Sequence, residues 1–529
     1  MKATRHWIGM VLAWTVTHAA MVDTKAAESH RAGGNVVAPL PTVVSLVDCL
    51  ETALRQNREL QIERLNPSLA REAMITAGAA YDPQFAVESR WESLADTGGL
   101  DPADFSRDAI YKADSETARM SLGGSLPTGM TYGLTADYAH SDGVRNALEF
   151  DAYSLRLGAM VRQPLLRNLW IDAPRLSIRV NRLQVKSAEL ALRFRVMDVA
   201  SRVAHAFHEL GYSQEFHRTH EELLRLRQSI HQTVRRRVAS GTLTTPDESL
   251  AAAQVATAEA NLASAFEALE LARHTLRALL GDSWNTFESI SFTATNALEI
   301  QPVNVDLADS WESARRARPD LALFQTELER HRLEARFWRN QLFPALDVVG
   351  IYGRRGASTA QVFPPFSTSA RFGEAWDEVR DGTAPNQGIG FVFSTPLSRR
   401  AERSQYRTSK DLRAQVELRL LQQEENLRRE IADAGTAVRA AWSRIDLTRE
   451  ARQRSVEVLE AEERKLSGGK STVYFVLQYQ SDLAQARIAE HRARADHLQA
   501  QIRLHFADGR LLERLGARFE IRGSDELVR

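Results

Sequence analysis

The sequence is poor in residues that cross-link a chain, interrupt regular structure or give a protein a strong net charge. Its 529 residues include one cysteine, 16 prolines and 28 glycines, and its 68 basic residues equal its 68 acidic residues in number. A single cysteine excludes a disulfide within the chain. A net charge of zero provides no basic field for nucleic acid, which we exclude as a partner. No run of about 18 apolar residues occurs, so a transmembrane helix is excluded as well.

The residues that are abundant favour long helices. Charged residues make up 26% of the chain, and alanine, leucine, arginine and glutamate are common. These residues are strong helix formers, and with few glycines and prolines they predict extended helices rather than compact mixed domains.

The N-terminus has the layout of a secretory signal peptide, which we place at residues 1–27. Lys2 and Arg5 precede the apolar stretch Trp7–Val16, and small residues follow that stretch. This is the order of a basic region, an apolar region and a cleavage site.

An internal duplication organises the rest of the chain. The segment SLVDCLETALRQNREL, which starts at Ser45, aligns with DLADSWESARRARPDL, which starts at Asp306, at an offset of 261 residues. The same offset carries Pro83 onto Pro344 without a gap. Ser45 and Asp306 are both suited to cap a helix N-terminus, because their side-chain oxygens accept hydrogen bonds from first-turn N–H groups.

Two further landmarks extend the duplication. Pro164 matches Pro396, and Gly241 matches Gly468. The chain therefore runs twice through a short helix, a strand region, a long helix, a glycine-containing turn and a return helix.

The strand regions consist of short segments in which apolar and polar residues alternate. Each is about as long as a tilted strand that crosses a bilayer, but strands of soluble sandwiches alternate in the same way. The segments are 83–92, 151–162, 344–353 and 388–395. The first repeat also predicts an extra hairpin at 118–140, whereas 354–387 in the second repeat predicts an exposed loop.

The long helices are predicted at 172–238 and 399–466, where apolar residues recur at helical spacing. A helix of about 67 residues is about 100 Å long. In each repeat the short and return helices together match that length, which suits a long tube, whereas a plain coiled coil is the alternative. The four shorter helices are predicted at 45–80, 246–280, 306–341 and 472–508.

This ordered pattern resembles the outer membrane efflux protein family, the TolC-like channels of Gram-negative bacteria. The resemblance covers about residues 43–508. It is carried by the repeat starting at Ser45, by RPDL (318–321), by QPLL (163–166) and TPLS (395–398), and by the two Ser-Gly turns. It implies a mainly α protein with a membrane β-barrel part. Duplicated β/long-helix halves of three chains would form a trimeric 12-stranded β-barrel and a periplasmic α-helical barrel.

The resemblance implies four barrel strands per chain, two from each half. Pro164 and Pro396 are then barrel-to-helix transitions, since proline ends a strand ladder. The hairpin at 118–140 exceeds this number. It either lies in an extracellular loop or lengthens a barrel strand.

Function and partners are likewise implied by the resemblance. We expect a passive exit duct of a tripartite efflux or type I secretion system, in the cell outer membrane and extending into the periplasm. Its partners would be two further copies in a homotrimer, a periplasmic membrane-fusion adaptor, an inner-membrane pump of the RND, ABC or MFS type, and outer-membrane lipid. The chain has no nucleophile motif, glycine-rich cofactor loop or paired carboxylate arrangement, so we expect no enzyme activity and no cofactor. The pairs His205/His208 and His217/His220 each need further ligands to bind zinc, so we expect no metal. The alternative is a non-transport periplasmic or secreted helical coiled-coil scaffold.

The resemblance places adaptor docking at the turns between the long and return helices. Capping of a helix C-terminus is the alternative role for the glycines of these turns. The docking candidates are Ser240, Gly241, Thr242 and Leu243 in the first turn, and Ser467, Gly468, Gly469 and Lys470 in the second. In well-studied relatives, carboxylates just inside the second turn narrow the mouth. Here the candidates for a pore constriction are Asp247, Glu248, Tyr474, Phe475 and Gln478, so both an acidic and an aromatic constriction stay open.

The sequence thereby divides into nine parts. They are the signal peptide (1–27), the first short helix (43–82), the first barrel segment with the extra hairpin (83–164), the first long helix, tip turn and return helix (165–281), an equatorial linker (282–305), the second short helix (306–343), the second barrel segment with an extracellular loop (344–396), the second long helix, tip turn and return helix (397–508) and a C-terminal tail (509–529).

Overall fold

The computed structural model describes residues 43–96, 111–145, 148–281, 293–301, 305–360, 362–363, 366–367 and 369–516. The predicted signal peptide lies outside these residues, as do parts of the predicted linker and tail. The helices are α1 (Leu46–Gln56), α2 (Arg58–Glu63), α3 (Leu65–Gly78), α4 (Ala173–Ala239), α5 (Thr245–Leu280), α6 (Leu307–Ala317), α7 (Pro319–Asn340), α8 (Phe372–Asp381), α9 (Arg400–Ser467), α10 (Val473–Ala507) and α11 (Leu511–Arg514). The strands are β1 (Val43–Val44), β2 (Gln84–Asp96), β3 (Tyr111–Ser125), β4 (Thr131–Arg145), β5 (Leu148–Pro164), β6 (Thr293–Ala294), β7 (Ala345–Ala360), β8 (Val362–Phe363), β9 (Phe366–Ser367) and β10 (Pro385–Ser394).

Two very long helices dominate the fold, one in each repeat. Helix α4 has 67 residues and α9 has 68, so each is about 100 Å long. Each packs against the helix that follows it, α5 with 36 residues and α10 with 35. The predicted long helices differ from the observed ones by a single residue at each end. This agreement reflects helical apolar spacing that continues without a break.

The short helices break at equivalent points of the two repeats. Helix α1 ends before Asn57 and α6 ends before Arg318, so the single short helix predicted in each repeat is in fact segmented. The side chain at each break holds the end of the return helix. Asn57 Nδ2 donates to the carbonyl oxygen of Leu279 at 2.8 Å, and Arg318 Nη1 donates to that of Phe506 at 2.9 Å. Each return helix therefore meets a short helix end to end, as the length match predicts.

Six strands form one antiparallel sheet in the order β10-β7-β5-β4-β3-β2. The four strands of the first repeat are consecutive neighbours, and the two strands of the second repeat continue the sheet beyond β5. Strands β2 and β10 are the edges of this sheet in the part of the chain that the structure describes.

The sheet of one chain has six strands, whereas the resemblance implies four barrel strands per chain. Both strands of the hairpin predicted at 118–140 pair in the main sheet, as β3 and β4. The hairpin is therefore neither a separate loop element nor an extension of one strand. It pairs in the sheet because the alternation of its side chains matches the pleat of its neighbours.

The stretch 354–387, expected to be an exposed loop, is partly regular structure. Its first residues extend β7 to Ala360, and further on it forms α8. Helix α8 packs on the sheet through buried Ala375 and Val379, and Ser358 Oγ donates to Glu374 Oε2 at 2.8 Å. The apolar stripe of this helix is only two turns long, and glycines, serines and prolines flank it. A prediction based on composition therefore does not detect the helix.

The largest core lies where α1 and α2 pack against α4 and α5. Leu50, Phe207, Leu210 and Leu276 are buried there. Small side chains such as Ala200 let the helices approach closely in the same cluster. No helix among the described residues is both long and apolar enough to cross a membrane.

Candidate functional site

The first tip turn is a tight helix cap with an exposed backbone. Gly241 has a φ of 73°, which costs glycine little. Its N–H donates to the carbonyl oxygen of Val238 at 2.9 Å, and the N–H of Thr242 donates to that of Arg237 at 2.9 Å. This pair of bonds is a Schellman cap. Ser240 and Thr242 are exposed, whereas Leu243 is half-buried.

The second tip turn has the same geometry, shifted by one residue from the predicted match. Gly469 has a φ of 71°. Its N–H donates to the carbonyl oxygen of Leu466 at 3.1 Å, and the N–H of Lys470 donates to that of Lys465 at 2.8 Å. The predicted pairing of Gly241 with Gly468 is therefore wrong: Gly469 holds the left-handed position, and Gly468, at φ −83°, corresponds to Ser240. Ser467, Gly468, Gly469 and Lys470 are all exposed.

The two turns, which are more than 220 residues apart in the chain, lie at the same end of the molecule. Val234 and Ala251, beside the first turn, pack in one buried cluster with Val473 and Leu477, beside the second. Leu243 packs on this cluster from the first turn. The structure thus unites the two docking candidates in one surface.

The acidic residues of the first turn, Asp247 and Glu248, interact with residues of their own helix hairpin. Asp247 Oδ2 accepts from the Thr244 N–H at 3.0 Å and from the Thr244 hydroxyl at 2.7 Å. The hydroxyl and backbone hydrogen bonds from Thr244 hold the pKa of Asp247 below its usual value. Glu248 lies 4.0 Å from Arg235. Asp247 therefore caps the N-terminus of α5.

The constriction candidates of the second turn lie on the exposed side of α10. Tyr474 and Phe475 are 53% and 47% exposed, and their rings meet edge to face with centroids 5.5 Å apart. Gln478 is exposed one turn further along the helix, and its Nε2 donates to Asp482 Oδ1 at 3.1 Å. Asp482 adds a carboxylate to this face, and it was not among the predicted constriction candidates. Asp482 is four residues after Gln478, and this helical spacing indicates from the sequence that the two side chains share one face.

Arg227 is a second residue that the prediction missed. It lies on α4 with 3% of its surface exposed. Its guanidinium donates to the carbonyl oxygen of Gln254 on α5 at 2.9 Å and to the hydroxyl of Ser481 on α10. Burial lowers the pKa of this guanidinium. Four residues after Leu223, Arg227 falls on the apolar stripe of α4, which is the signal of its burial.

Ion pairs extend this attachment of α10 to α4 away from the tip. Arg487 Nη1 lies 3.0 Å from Glu222, and Arg492 Nη1 lies 2.9 Å from Glu209. The second helix hairpin is therefore held to the first by polar contacts as well as by the apolar tip cluster.

One face of the six-stranded sheet is apolar. Along it, side chains from all six strands face the same way, because paired residues of adjacent strands lie on one face. Many are strongly exposed in the single chain, among them Phe85, Met120, Leu134, Leu157, Tyr352, Ile389, Phe391 and Phe393. Such a large exposed apolar surface marks contact with a partner or a membrane.

The other face of the sheet is polar and carries a belt of charge. One rung runs through the pairs Glu88–Arg119, Arg119–Asp137, Asp137–Arg156 and Arg156–Arg355. Arg119 Nε and Asp137 Oδ1 are 2.6 Å apart within it. A sheet with one apolar and one charged face separates lipid from water when it is closed into a barrel.

The two prolines lie between a strand and a long helix, but at different distances. Pro164 is the last residue of β5, eight residues before the N-cap Asp172 of α4. Pro396 follows the end of β10, and Arg399 caps α9 in a left-handed conformation with φ 47°. The guanidinium of Arg399 donates to the carbonyl oxygen of Leu342 at 2.9 Å, which ties this junction to the end of α7.

Comparison with known proteins yields one family. The family model described as outer membrane efflux protein matches residues 169–282 and 311–510, more than half of the chain. A search of curated protein sequences finds no match.

Solved structures with the same fold are outer-membrane channels. The CmeC outer membrane channel of Campylobacter jejuni aligns with a TM-score of 0.61 at 13% identity, over 88% of this chain and 86% of its own. VceC of Vibrio cholerae aligns at 0.58 and 16% identity, over 88% and 96%. The open state of the MtrE channel of Neisseria gonorrhoeae aligns at 0.58 and 16% identity, over 88% of each chain. The predicted fold class, a mainly α protein with a membrane β-barrel part, is confirmed.

Proposed function

Because the chain belongs to the outer membrane efflux protein family, we propose that it is the exit duct of a tripartite efflux or type I secretion system. Its efflux role and its place in the outer membrane and periplasm follow from the family. The duct conducts substrate passively, and an inner-membrane pump of the RND, ABC or MFS type supplies the energy.

The observation that carries this proposal is the joining of two unlike parts in each chain. A sheet with an apolar and a charged face continues into four helical strands, two of them single helices about 100 Å long. A homotrimer pools three sheets into one membrane barrel and twelve helical strands into a periplasmic tunnel. The apolar face then contacts outer-membrane lipid.

The surface formed by the two tip turns is where we place both the docking site of the periplasmic adaptor and the constriction that closes the duct. Both tip turns lie together there with exposed backbones. We assign adaptor docking to residues 240–243 and 467–470. The constriction is formed by the exposed side of α10, where Tyr474, Phe475 and Gln478 are joined by Asp482. Asp247 and Glu248 contribute to the same mouth from α5.

Opening requires α10 to move away from α4. The contact of Arg227 on α4 with Ser481 on α10 therefore favours the closed state, whereas its contact with Gln254 holds α5 against α4. Docking of an adaptor at the tips would supply the binding energy that separates the two hairpins, since a ligand shifts a two-state equilibrium by its differential affinity.

Fractionation and particle mass test this proposal together. The expressed protein should be found in the outer membrane, and the detergent-extracted particle should weigh about three times the 59.3 kDa chain, less any cleaved signal. A soluble trimer-sized particle from the periplasm would refute the membrane location. A monomer or dimer that needs no detergent would leave the helical scaffold as the function.

A further inference from the structure

We propose that the hairpin of β3 and β4 forms part of the membrane wall, so that three chains close an 18-stranded barrel in place of the 12-stranded one that the resemblance implies. This inference rests on the proposed trimeric duct. It concerns the width of the opening and hence the size of solute that the outer-membrane part admits.

The first support is continuous strand pairing. Every residue from Gln84 to Asp96 on β2 has a partner on β3, and β3 pairs in turn with β4 from Lys112 to Ser125. Strand β4 pairs with β5 along its whole length. Strands β2 and β5 are therefore separated by two complete strands, and the sheet of one chain is six strands wide.

The second support is the chemistry of the two faces. Met120 and Leu134 lie on the apolar face of the hairpin and are 46% and 49% exposed. Their neighbours Arg119 and Thr135 lie on the polar face, where Arg119 pairs with Asp137 at 2.6 Å. A hairpin in an extracellular loop has water on both sides and needs no apolar face. A strand in a membrane wall needs one.

The third support is the position of the turn between β3 and β4. Arg175 Nη1 at the start of α4 donates to the carbonyl oxygen of Pro127 at 2.9 Å. The Trp170 N–H donates to the carbonyl oxygen of Thr128 at 3.4 Å. A Cβ atom on Gly129 would lie 2.5 Å from the carbonyl oxygen of Asn168. The hairpin thus reaches the junction of sheet and helices, so it spans the same height as β5.

Insertion of two strands leaves the rest of the barrel unchanged. One rung runs through the pairs Ala95–Lys112, Lys112–Val144 and Val144–Glu149. Ala95 and Glu149 thus lie on the same rung with the same facing. If β3 and β4 were absent, β2 and β5 would pair antiparallel in that register. Edge strands β2 and β10 still run in opposite directions with six strands, so neighbouring copies close the barrel with antiparallel pairs.

The consequence is a wider opening. With a strand spacing of about 4.8 Å and a tilt of about 40°, 12 strands give a backbone diameter of about 24 Å and 18 strands about 36 Å. Twelve helical strands about 9 Å apart give a tunnel of about 34 Å. The enlarged barrel therefore matches the bore of the tunnel, and size selection falls to the helix tips rather than to the membrane part.

Imaging tests the strand number directly. Cryo-electron microscopy of the full-length protein in lipid nanodiscs should show 18 strands in the membrane section. In a variant that lacks residues 97–145, Asp96 is joined directly to Asn146 and takes the place of Arg145. This variant should show 12 strands. A full-length trimer with a 12-stranded wall and the hairpin elsewhere would overturn this inference and leave the proposed duct standing. Absence of a membrane trimer would instead overturn the proposed function.

Matched substitutions decide the question even where the deletion variant does not fold. Met120→Arg and Leu134→Arg place a charge on the apolar face, and each should reduce folded outer-membrane trimer by about tenfold or more. Ser121→Arg and Thr135→Arg, next to them on the polar face, should leave trimer near the wild-type level. Equal tolerance of all four charges would show that the hairpin lies outside the lipid and would overturn the inference.

Discussion

At the scale of single residues, backbone conformation distinguishes positions that look alike in sequence. The second tip turn offers two glycines in succession, and either fits the pattern of a Ser-Gly turn. Only Gly469 has a positive φ, of 71°, whereas Gly468 has a φ of −83°. Apart from its chain neighbours, no described atom lies within 4 Å of a Cβ placed on Gly469, so a side chain there is penalised by conformation and not by crowding.

We predict that Gly469→Ala lowers the free energy of unfolding of the tip by about 1 kcal/mol, because L-residues are strained in the left-handed region. Gly468→Ala should be neutral or slightly stabilising, since the alanine fits its φ and restricts the unfolded chain. Denaturant unfolding monitored by helical circular dichroism compares the two variants. Equal losses would contradict the assignment of the left-handed position.

At the scale of secondary-structure elements, the two helix hairpins are held together by few polar contacts near the tip. Arg227 is the residue there whose side chain hydrogen-bonds to both α5 and α10. It does so as a buried charge with no carboxylate among its hydrogen-bond partners in the described structure, and that arrangement is costly unless its hydrogen bonds are made. The bond to Ser481 joins the two hairpins and the bond to Gln254 lies within the first, so a change at Arg227 should weaken both the association of the hairpins and the packing of α4 on α5.

Arg227→Ala should favour separation of the hairpins and raise the conductance of the purified trimer in planar bilayers. The loss of two hydrogen bonds to a charged group should also destabilise the tip by about 1–3 kcal/mol. Arg225→Ala is the matched control, because the Arg225 side chain is 70% exposed and its ion pair in the described structure, with Glu221 at 2.6 Å, lies within its own helix. If conductance rises equally in both variants, the hydrogen bonds of Arg227 do not hold the hairpins in the closed state.

At the scale of the whole molecule, the helical body and the sheet meet different solvents. The sheet has one exposed apolar face, whereas the helices bury many polar groups between them. Burial lowers the pKa values of several histidines in the helical body, and that of His205 falls to about 4. For His205 desolvation is the largest cause, followed by the nearby charge of Arg503 and by His208. The others are His208, His220, His491 and His497.

Because these histidines have lowered pKa values in the folded state, we predict that acid lowers the free energy of unfolding of the helical body. The folded state binds fewer protons than the unfolded state between the usual histidine pKa near 6.5 and the folded value of about 4, so stability falls as pH is lowered through that window. Thermal unfolding of the detergent-extracted protein at pH 7 and pH 4.5 should show the loss. His205→Gln should reduce the difference between the two pH values. If the His205→Gln variant loses as much thermal stability between pH 7 and pH 4.5 as the wild type, His205 does not contribute to the acid sensitivity.

Much of the fold is predictable from the sequence because helices and strands are encoded in local periodicity. The long helices are predicted to within one residue at each end, and Ser45 and Asp306 cap their helices as the duplication requires. The tip turns are found from their glycines. Their side-chain contacts are not, because the partners of Arg227 and Leu243 are distant in sequence.

The sequence by itself determined the duplication, the order of elements, the apolar and polar sides of each strand, and the length match that points to a long duct. Periods of two and of 3.6 residues are local properties, so a single chain displays them directly. Only the tertiary structure decided that β3 and β4 lie between β2 and β5, that α8 covers part of the sheet, and that Arg227 is buried among three helices. These outcomes depend on which surfaces meet, and pairing between distant segments is set by complementary faces and register that no local pattern contains.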